Sequence, residues 1–306
     1  VVFRKPIPQP LPTAFSVADA YAHGFSRAQL RNRSLLVPFH GTRALALPTS
    51  GEPQAEFKMR CRALATRMPS GAAFSHRTAA ILHQMPLPGQ QTNQHFEVTV
   101  PAPGRAIRRR GVDGHCSFLA PDCVGTLAGI PVTTVERTWC DLATMLSLPD
   151  LVAVADFLLW HRNPRTTIAR LTTAVGRHPS RSGRPALRSA LTLASDHSQS
   201  RPESLVRVDL ALSDLPTPVA NLELHLVITR RVVHLDLAYP EYKLELEYHG
   251  DQHRTDVRQW RSDVRRANDI GDEGWQTLQF TGDDLADLPS LRRRVERRLR
   301  SLGWDG

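Results

Sequence analysis

Cysteine is scarce and unpaired in this chain. Cys61, Cys116, Cys123 and Cys140 are the only four in 306 residues, and no two stand at C-x-x-C spacing. A structural zinc site wants four ligands at close pair spacings, so His115, Cys116 and Cys123, with no second pair, do not make one. The four thiols read as reduced core groups. No run of about 18 apolar residues occurs, so no membrane-spanning helix is expected. The opening "VVFRKPIPQPLPTAF" has no secretory hydrophobic block and no initiator Met, which reads as a trimmed start of a soluble cytoplasmic protein. No segment repeats at solenoid spacing. Acids are the minority charge, 30 against 39 Lys and Arg, and the net +9 points to a polyanionic partner, nucleic acid or an acidic membrane face. With 41% hydrophobic side chains the chain is long enough for two domains and a small third.

What is present begins with "FSVADAYAHGFSRAQLRNRSLLVPFHGTRALAL". Ser16 is placed to cap a helix ending at Gly24, and Ser26 to cap a second running through Leu30, before a Pro- and Gly-punctuated apolar stretch. Helix, turn, helix and strand pair is the order of a winged helix-turn-helix. Arg27, Gln29, Arg31, Asn32 and Arg33 are residue types that meet base edges and phosphates; the plainer reading is a small helical cap with a solvated basic face.

A mixed α/β segment follows. "EFKMRCRALATRM" and "AFSHRTAAILHQM" have helical spacing, "HFEVTVPAP" alternates as a strand, and "VTTVERTWCDLATML" and "DLVAVADFLLWH" read as further helices. Ser75 and His76 are adjacent on a helix start and point apart, so Ser75 reads as an N-cap, not as a nucleophile with its base. Glu136 and Arg137 read as an ion pair or a solvated face. The loop "GRAIRRRGVDG" brings Arg108, Arg109 and Arg110 as phosphate contacts. Residues 177–201, rich in Ser, Arg and Pro around one short helix, have the composition of a connector. The expected domains are therefore 1–50, 51–176 and 202–306, joined last by that linker.

In the final segment "PESLVRVDLALSDL" is an amphipathic helix with Ser200 and Glu203 at capping-box spacing. "NLELHLVIT", "RVVHLDLAY" and "YKLELEYHG" are strands, and "VRQWRSDVRRANDIGDEGW" is a helix through the spacing of Val257, Trp260, Val264 and Ala267. "WQTLQF" is a strand, and "SLRRRVERRLRSLGW" is a helix with Leu291, Val295 and Leu299 on one face and arginines on the other. The order is α, β, β, β, α, β, α, and the fold class expected for the whole chain is α/β in the broad, α+β sense.

Strand alternation places Val233, Leu235 and Leu237 on one face and His234 and Asp236 on the other. Likewise Leu244, Leu246 and Tyr248 oppose Glu245, Glu247 and His249. Paired as a hairpin, these strands set Asp236 beside a glutamate, and like charges so placed repel unless a cation lies between them. Two carboxylates with a strand-edge carbonyl form a hard oxygen site suited to magnesium or manganese. Glu203 offers a third carboxylate, and for that residue alone the capping box is the stronger reading. His249 and His253 stand where a proton-transferring or phosphate-contacting group is wanted. A polar-out hairpin with acids on its wet face is the ordinary alternative.

At "PES" (202–204), "HLDLAYPEYKLELEYHGDQH" (234–253), "WRSDVRRANDIGDEGW" (260–275) and "LQF" the chain resembles the restriction-endonuclease-like superfamily with the PD-(D/E)XK signature, in its Vsr-like bacterial branch. The resemblance implies an αβββαβ core and magnesium- or manganese-dependent DNA cleavage. It implies Asp236, Glu247 and Glu203 as metal-ligating acids, ranks Glu245 lower, and puts His249 where the signature carries lysine. Asp263 and Arg266 match a further helix pattern, expected as a supporting ion pair. "FSVADAYAHGFSRAQL", "FSHRTAAILHQMPLP" and "GIPVTTVERTWCDLA" resemble the winged-helix and following domain of AbiEi-type antitoxins. Together these imply a nucleoid-associated, metal-dependent DNA endonuclease of nicking, repair or defence type, catalytic through Asp236, Glu247, His249, Glu203 and His253. Its DNA contacts are expected at Arg27, Arg31, Arg33, Arg108, Arg109, Arg110, Arg254 and Arg258, with no membrane partner. The alternative is a non-enzymatic DNA-binding regulator on a degenerate nuclease fold.

Overall fold

The structure, a computed structural model, describes residues 12–45, 53–89, 95–250 and 257–306, with side chains from residue 264 onward in the helix that opens the last of these spans. The fold is α+β, and the chain forms two units, 1–141 and 142–306.

The first unit runs β1 (Ala14–Ser16), α1 (Val17–Ala22), β2 (Leu35–Leu36), β3 (Thr42–Leu45), α2 (Pro53–Ala65), β4 (Ala73–Phe74), α3 (His76–Leu82), β5 (Phe96–Pro101), β6 (Arg108–Arg109), β7 (Val112–Ser117), β8 (Val124–Leu127), β9 (Ile130–Thr133) and α4 (Val135–Asp141). Ser16 caps α1 as expected, its Oγ accepting from the Asp19 N–H at 3.0 Å. The expected second helix is a single 3-10 turn, Gln29–Arg31, because Asn32 turns extended and its side chain accepts from the Ser34 N–H. Arg27 precedes that turn, Arg31 ends it and Arg33 follows it, so they do not line one helix face. The strands order as β1-β3-β2 and as β6-β7-β5-β4-β9-β8. α2 packs Met59, Cys61, Ala63 and Leu64 onto a core with Phe74, Phe96, Val98 and Val132.

Three local expectations change here. Ser75 holds the N-cap position of α3, but its hydroxyl makes no capping bond and instead lies 2.9 Å from His76 Nδ1, so the two side chains meet where they were expected to point apart. Arg137 pairs with Asp141 at 2.8 Å, and Glu136, Arg137 and Asp141 are all buried, so none lies on a solvated face. Of the four thiols Cys61 and Cys140 are core groups, whereas Cys116 is exposed and Cys123 half-buried; none is in a disulfide.

The second unit runs α5 (Leu148–Leu159), α6 (Ile168–Arg177), α7 (Arg184–Leu193), α8 (Arg201–Ala211), β10 (Val219–His225), β11 (Val232–Tyr239), β12 (Leu244–Tyr248), α9 (Val257–Asp272), β13 (Gln276–Phe280), α10 (Gly282–Ala286) and α11 (Leu288–Ser301). The boundary therefore falls near 141, not at 177–201. The Ser/Arg-rich stretch is no free linker, since α7 buries Leu187 and Ala190 completely. α5 is buried nearly all round, and its Asp156 accepts from Arg207 at 2.8 Å, Ser204 Oγ at 2.7 Å and the Ser195 N–H at 2.7 Å. Among the described residues no helix is long and apolar enough to cross a membrane.

Its sheet has the order β10-β11-β12-β13, antiparallel except for the parallel β12/β13 pair. Leu237, Leu244, Leu246, Leu278 and Phe280 pack against Val206 and Leu210 of α8 and Leu291, Val295 and Leu299 of α11. Val233, Leu235 and Ala238 instead pack with Ile270 and Trp275. Leu235 and Leu237 thus enter different cores, which simple alternation does not allow. The register Ala220–Leu237 and Leu222–Leu235 brackets Asn221 opposite Asp236, and Asn221 lies in the left-handed region at φ 50. The β10–β11 pairing is thus interrupted at Asn221 and Asp236. α9 also departs from its expected apolar stripe: Val264 is 42% exposed, while Ile270 is fully buried.

Candidate functional site

Two strands of the second unit gather the acids. Leu237 pairs with Leu246, so the register brings Asp236 alongside Glu247, and the Tyr248 N–H donates to Asp236 Oδ2 at 3.3 Å. The turn between the strands is a 3-10 turn, Pro240–Tyr242, closed by Lys243 at φ 47. Glu245 and Glu247 lie on the face away from Leu244 and Leu246, as alternation predicts. Glu245 is nevertheless fully buried.

Arg266 of α9 explains how. Its Nη2 donates to Glu245 Oε1 at 2.6 Å and to the His234 carbonyl at 2.8 Å, and its Nη1 donates to Glu247 Oε1. Thr277 Oγ1 donates to Glu245 Oε2 at 3.0 Å. Glu247 Oε2 meets His249 Nε2 at 3.1 Å and Gln279 Nε2 at 3.4 Å. The cation between neighbouring acids, inferred from the sequence as a metal, is at Glu245 and Glu247 a guanidinium. Glu245 is a structural anchor for α9. The expectation for Arg266 as an ion-pair former is met, with Glu245 and Glu247 as partners; Asp263 carries no described side chain.

Glu203 reaches the site from α8. Ser200 Oγ donates to its Oε1 at 2.6 Å and the Gln199 N–H to its Oε2 at 2.9 Å, the reciprocal pattern of a helix start. Burial, and then the charge of Asp236, push its carboxyl up to about 7 despite those hydrogen bonds. Asp236 is itself raised, first by burial and further by Glu247, against the Tyr248 N–H, Arg266 and His249. Arg266 thus pairs with Glu245 and Glu247 and favours the charged form of Asp236, while Glu203 is held by the Ser200 and Gln199 donors. A further positive charge beside Asp236 and Glu203 would relieve both. Among the described residues no three of these acids bring donor oxygens within 4.8 Å of one another.

On the far side of β13 a cleft of about 580 Å³ is lined by Thr277, Gln279, Arg294, Arg297 and Arg298. Arg294 is paired with Asp284 at 2.8 Å, and Arg298 Nη1 donates to Gln276 Oε1 at 2.8 Å. Arg297 is exposed and makes no ion pair with a described residue. Thr277 and Gln279 connect this basic cleft to Glu245 and Glu247. Sequence reading missed both as site residues, although the i, i+2 polar alternation of "WQTLQF" carries the signal.

Of the other expected residues, His253 and Arg254 lie outside the described residues, and the Arg258 side chain does too. Arg27, Arg31, Arg33, Arg108 and Arg110 are exposed on the first unit, and Arg109 donates to the His40 carbonyl at 2.9 Å.

No protein-family model matches the sequence, and no curated protein matches it. Among solved structures the chain is similar to the crystal structure of the RV2827C protein from Mycobacterium tuberculosis, with a TM-score of 0.37 and 16% identity over 72% of this chain and 86% of that one. A likeness of that degree assigns no activity.

Proposed function

We propose that the protein is a metal-dependent DNA endonuclease of nicking or repair type, acting through Asp236 and Glu247 with Glu203 beside them. The observation that carries this reading is the charge balance among the described residues, four buried or half-buried carboxylates of which Arg266 pairs with Glu245 and Glu247, in a chain whose net charge is +9. A hard divalent cation is the group that such oxygens accept, and magnesium or manganese, when bound, supplies water activation and neutralises charge on a phosphate in flight. Asp236, with a single backbone donor, has lone pairs left for that ion. Glu247, fixed by Arg266, His249 and Gln279, presents its carboxylate in one orientation. His249 stands at the rim, 37% exposed, where a proton can pass to solvent. The arginines of the β13 cleft offer charge to the sugar-phosphate backbone.

A second reading has its own support. Arg266 already occupies Glu247, which suits a DNA-binding regulator on a retired nuclease scaffold. Nicking of supercoiled plasmid and of labelled duplexes, some mismatched or deaminated, separates the two. With magnesium or manganese the parent protein should cut, and Asp236→Ala should lose at least about 100-fold, some 2.7 kcal/mol of transition-state stabilisation, while DNA binding is kept. Salt-sensitive binding with no cutting on any substrate selects the regulator.

A further inference from the structure

The first unit holds a second constellation, independent of the acidic site. α3 opens at His76, which sits in the left-handed region at φ 50, a conformation that side-chain-bearing residues seldom adopt. β5 and β7 run parallel with Thr99 beside His115. The result brings the His76 ring over the His115 ring, centroids 3.9 Å apart and planes 22° off parallel. Glu97, only 4% exposed, reaches the same place, its Oε1 3.7 Å from His115 Nε2. That nitrogen is buried and has no hydrogen-bond partner among the described residues. One donor atom from each of His76, Glu97 and His115 lies within 4.8 Å of the other two.

The surroundings hold these groups in a ligating state. His76 Nδ1 is 2.9 Å from Ser75 Oγ, which accepts from Thr99 Oγ1 at 2.8 Å, so the hydroxyl chain fixes the imidazole through one nitrogen and leaves the other. Glu97 Oε2 accepts from the Arg77 N–H at 2.7 Å, and the Glu97 N–H donates to Thr78 Oγ1 at 2.8 Å. One carboxylate oxygen thus anchors the start of α3, and the other turns to His115. An unpartnered buried nitrogen is unfavourable, and an ion between the three groups would satisfy it.

We propose that His76, Glu97 and His115 form a binding site for a divalent first-row transition ion of the zinc class. Two imidazoles and one carboxylate are the donor set for such an ion, and three protein ligands leave a coordination position open. Ligands about 2.1 Å from a tetrahedral ion stand roughly 3.4 Å apart, close to the Glu97–His115 separation. Near-parallel rings must pivot to converge, and His115, 36% exposed, has the room. The thiols take no part: Cys116 donates to the Gly104 carbonyl and Cys123 to Asp122.

The test is titration of the full chain carrying Asp236→Ala, which disables the acidic site as a second ion binder, with Zn²⁺ by calorimetry and with Co²⁺ by visible absorption. One ion should bind with d–d bands and no thiolate charge-transfer band. His115→Ala should weaken binding by at least about 10–100-fold with unchanged circular dichroism, and His76→Gln should do the same. Adding Cys116→Ser should leave that binding unchanged. No binding by this chain, undiminished affinity on adding His115→Ala, or thiolate charge transfer would each overturn the assignment. Because Asp236 belongs to the other unit, this outcome and that of the nicking assay are independent.

Discussion

At Glu203, burial and the Asp236 carboxylate push the carboxyl up to about 7, against 4.5 for the same group in water. Between those values the folded chain holds a proton that the unfolded chain releases. The contribution to stability is thus fully present below about pH 4.5 and is lost as pH rises through 7, a change of at most about 3 kcal/mol. Glu203→Gln keeps an acceptor for Ser200 and Gln199 without the charge. In urea unfolding it should match the parent near pH 5 and exceed it by about 1–3 kcal/mol at pH 8. Equal parental stability at the two pH values would show that Glu203 is not held protonated. At this scale the sequence is partly legible: alternation puts Glu245 and Glu247 on one face, and the Ser200–Glu203 spacing gives the capping pattern. Burial of Glu245 is not legible, because it depends on Arg266 and Thr277, brought in by later elements. His76, Glu97 and His115 are further from reach. They converge only because β5 lies between β4 and β7, and no local spacing encodes that order.

Elements with strong periodicity read well. α8 through α11 appear in the expected order, with α10 as an added short helix, and Leu291, Val295 and Leu299 form the buried stripe of α11. Elements fail where tertiary partners override the pattern. In α9 the inward positions are Arg266 and Ile270, chosen by Glu245, Glu247 and Trp275, while Val264 faces out. Composition misleads at 177–201, since Leu187 and Ala190 suffice to dock α7 amid polar neighbours. β7 shows the tightest constraint among the strands. A Cβ on Gly114 would stand 2.2 Å from the Ile107 carbonyl oxygen and 2.5 Å from its nitrogen, backbone atoms that cannot rotate away. Gly114→Ala should therefore cost about 1–3 kcal/mol by thermal unfolding. An unchanged Tm would mean that the β6–β7 approach has room to spare.

Across the whole molecule the excess positive charge is only partly free. Arg292, Arg294 and Arg300 on α11 are tied to Asp209, Asp284 and Glu296, so the arginine face read from the sequence is in good part neutralised. Arg27, Arg31 and Arg33 make no ion pair with a described residue and are exposed. If they meet phosphates, replacing them with alanine should flatten the slope of log affinity against log salt by about 0.9 for each phosphate no longer neutralised. Arg292→Ala should leave that slope unchanged, and fluorescence anisotropy across a salt series measures both. The boundary near 141, instead of the Ser/Arg-rich stretch, is a property of this scale too: it is set by which helices share a core, and composition does not report that.

The parallel joining of β12 to β13 has a consequence for how the chain is made. Glu245 and Glu247 leave the ribosome well before Arg266, Thr277 and Gln279, and a parallel neighbour can be added only after the whole α9 crossover has been synthesised. A nascent chain halted after Tyr248 carries the acids with no guanidinium to hold them together. The acidic site is therefore assembled only after α9 and β13 have been made, however early its acids emerge.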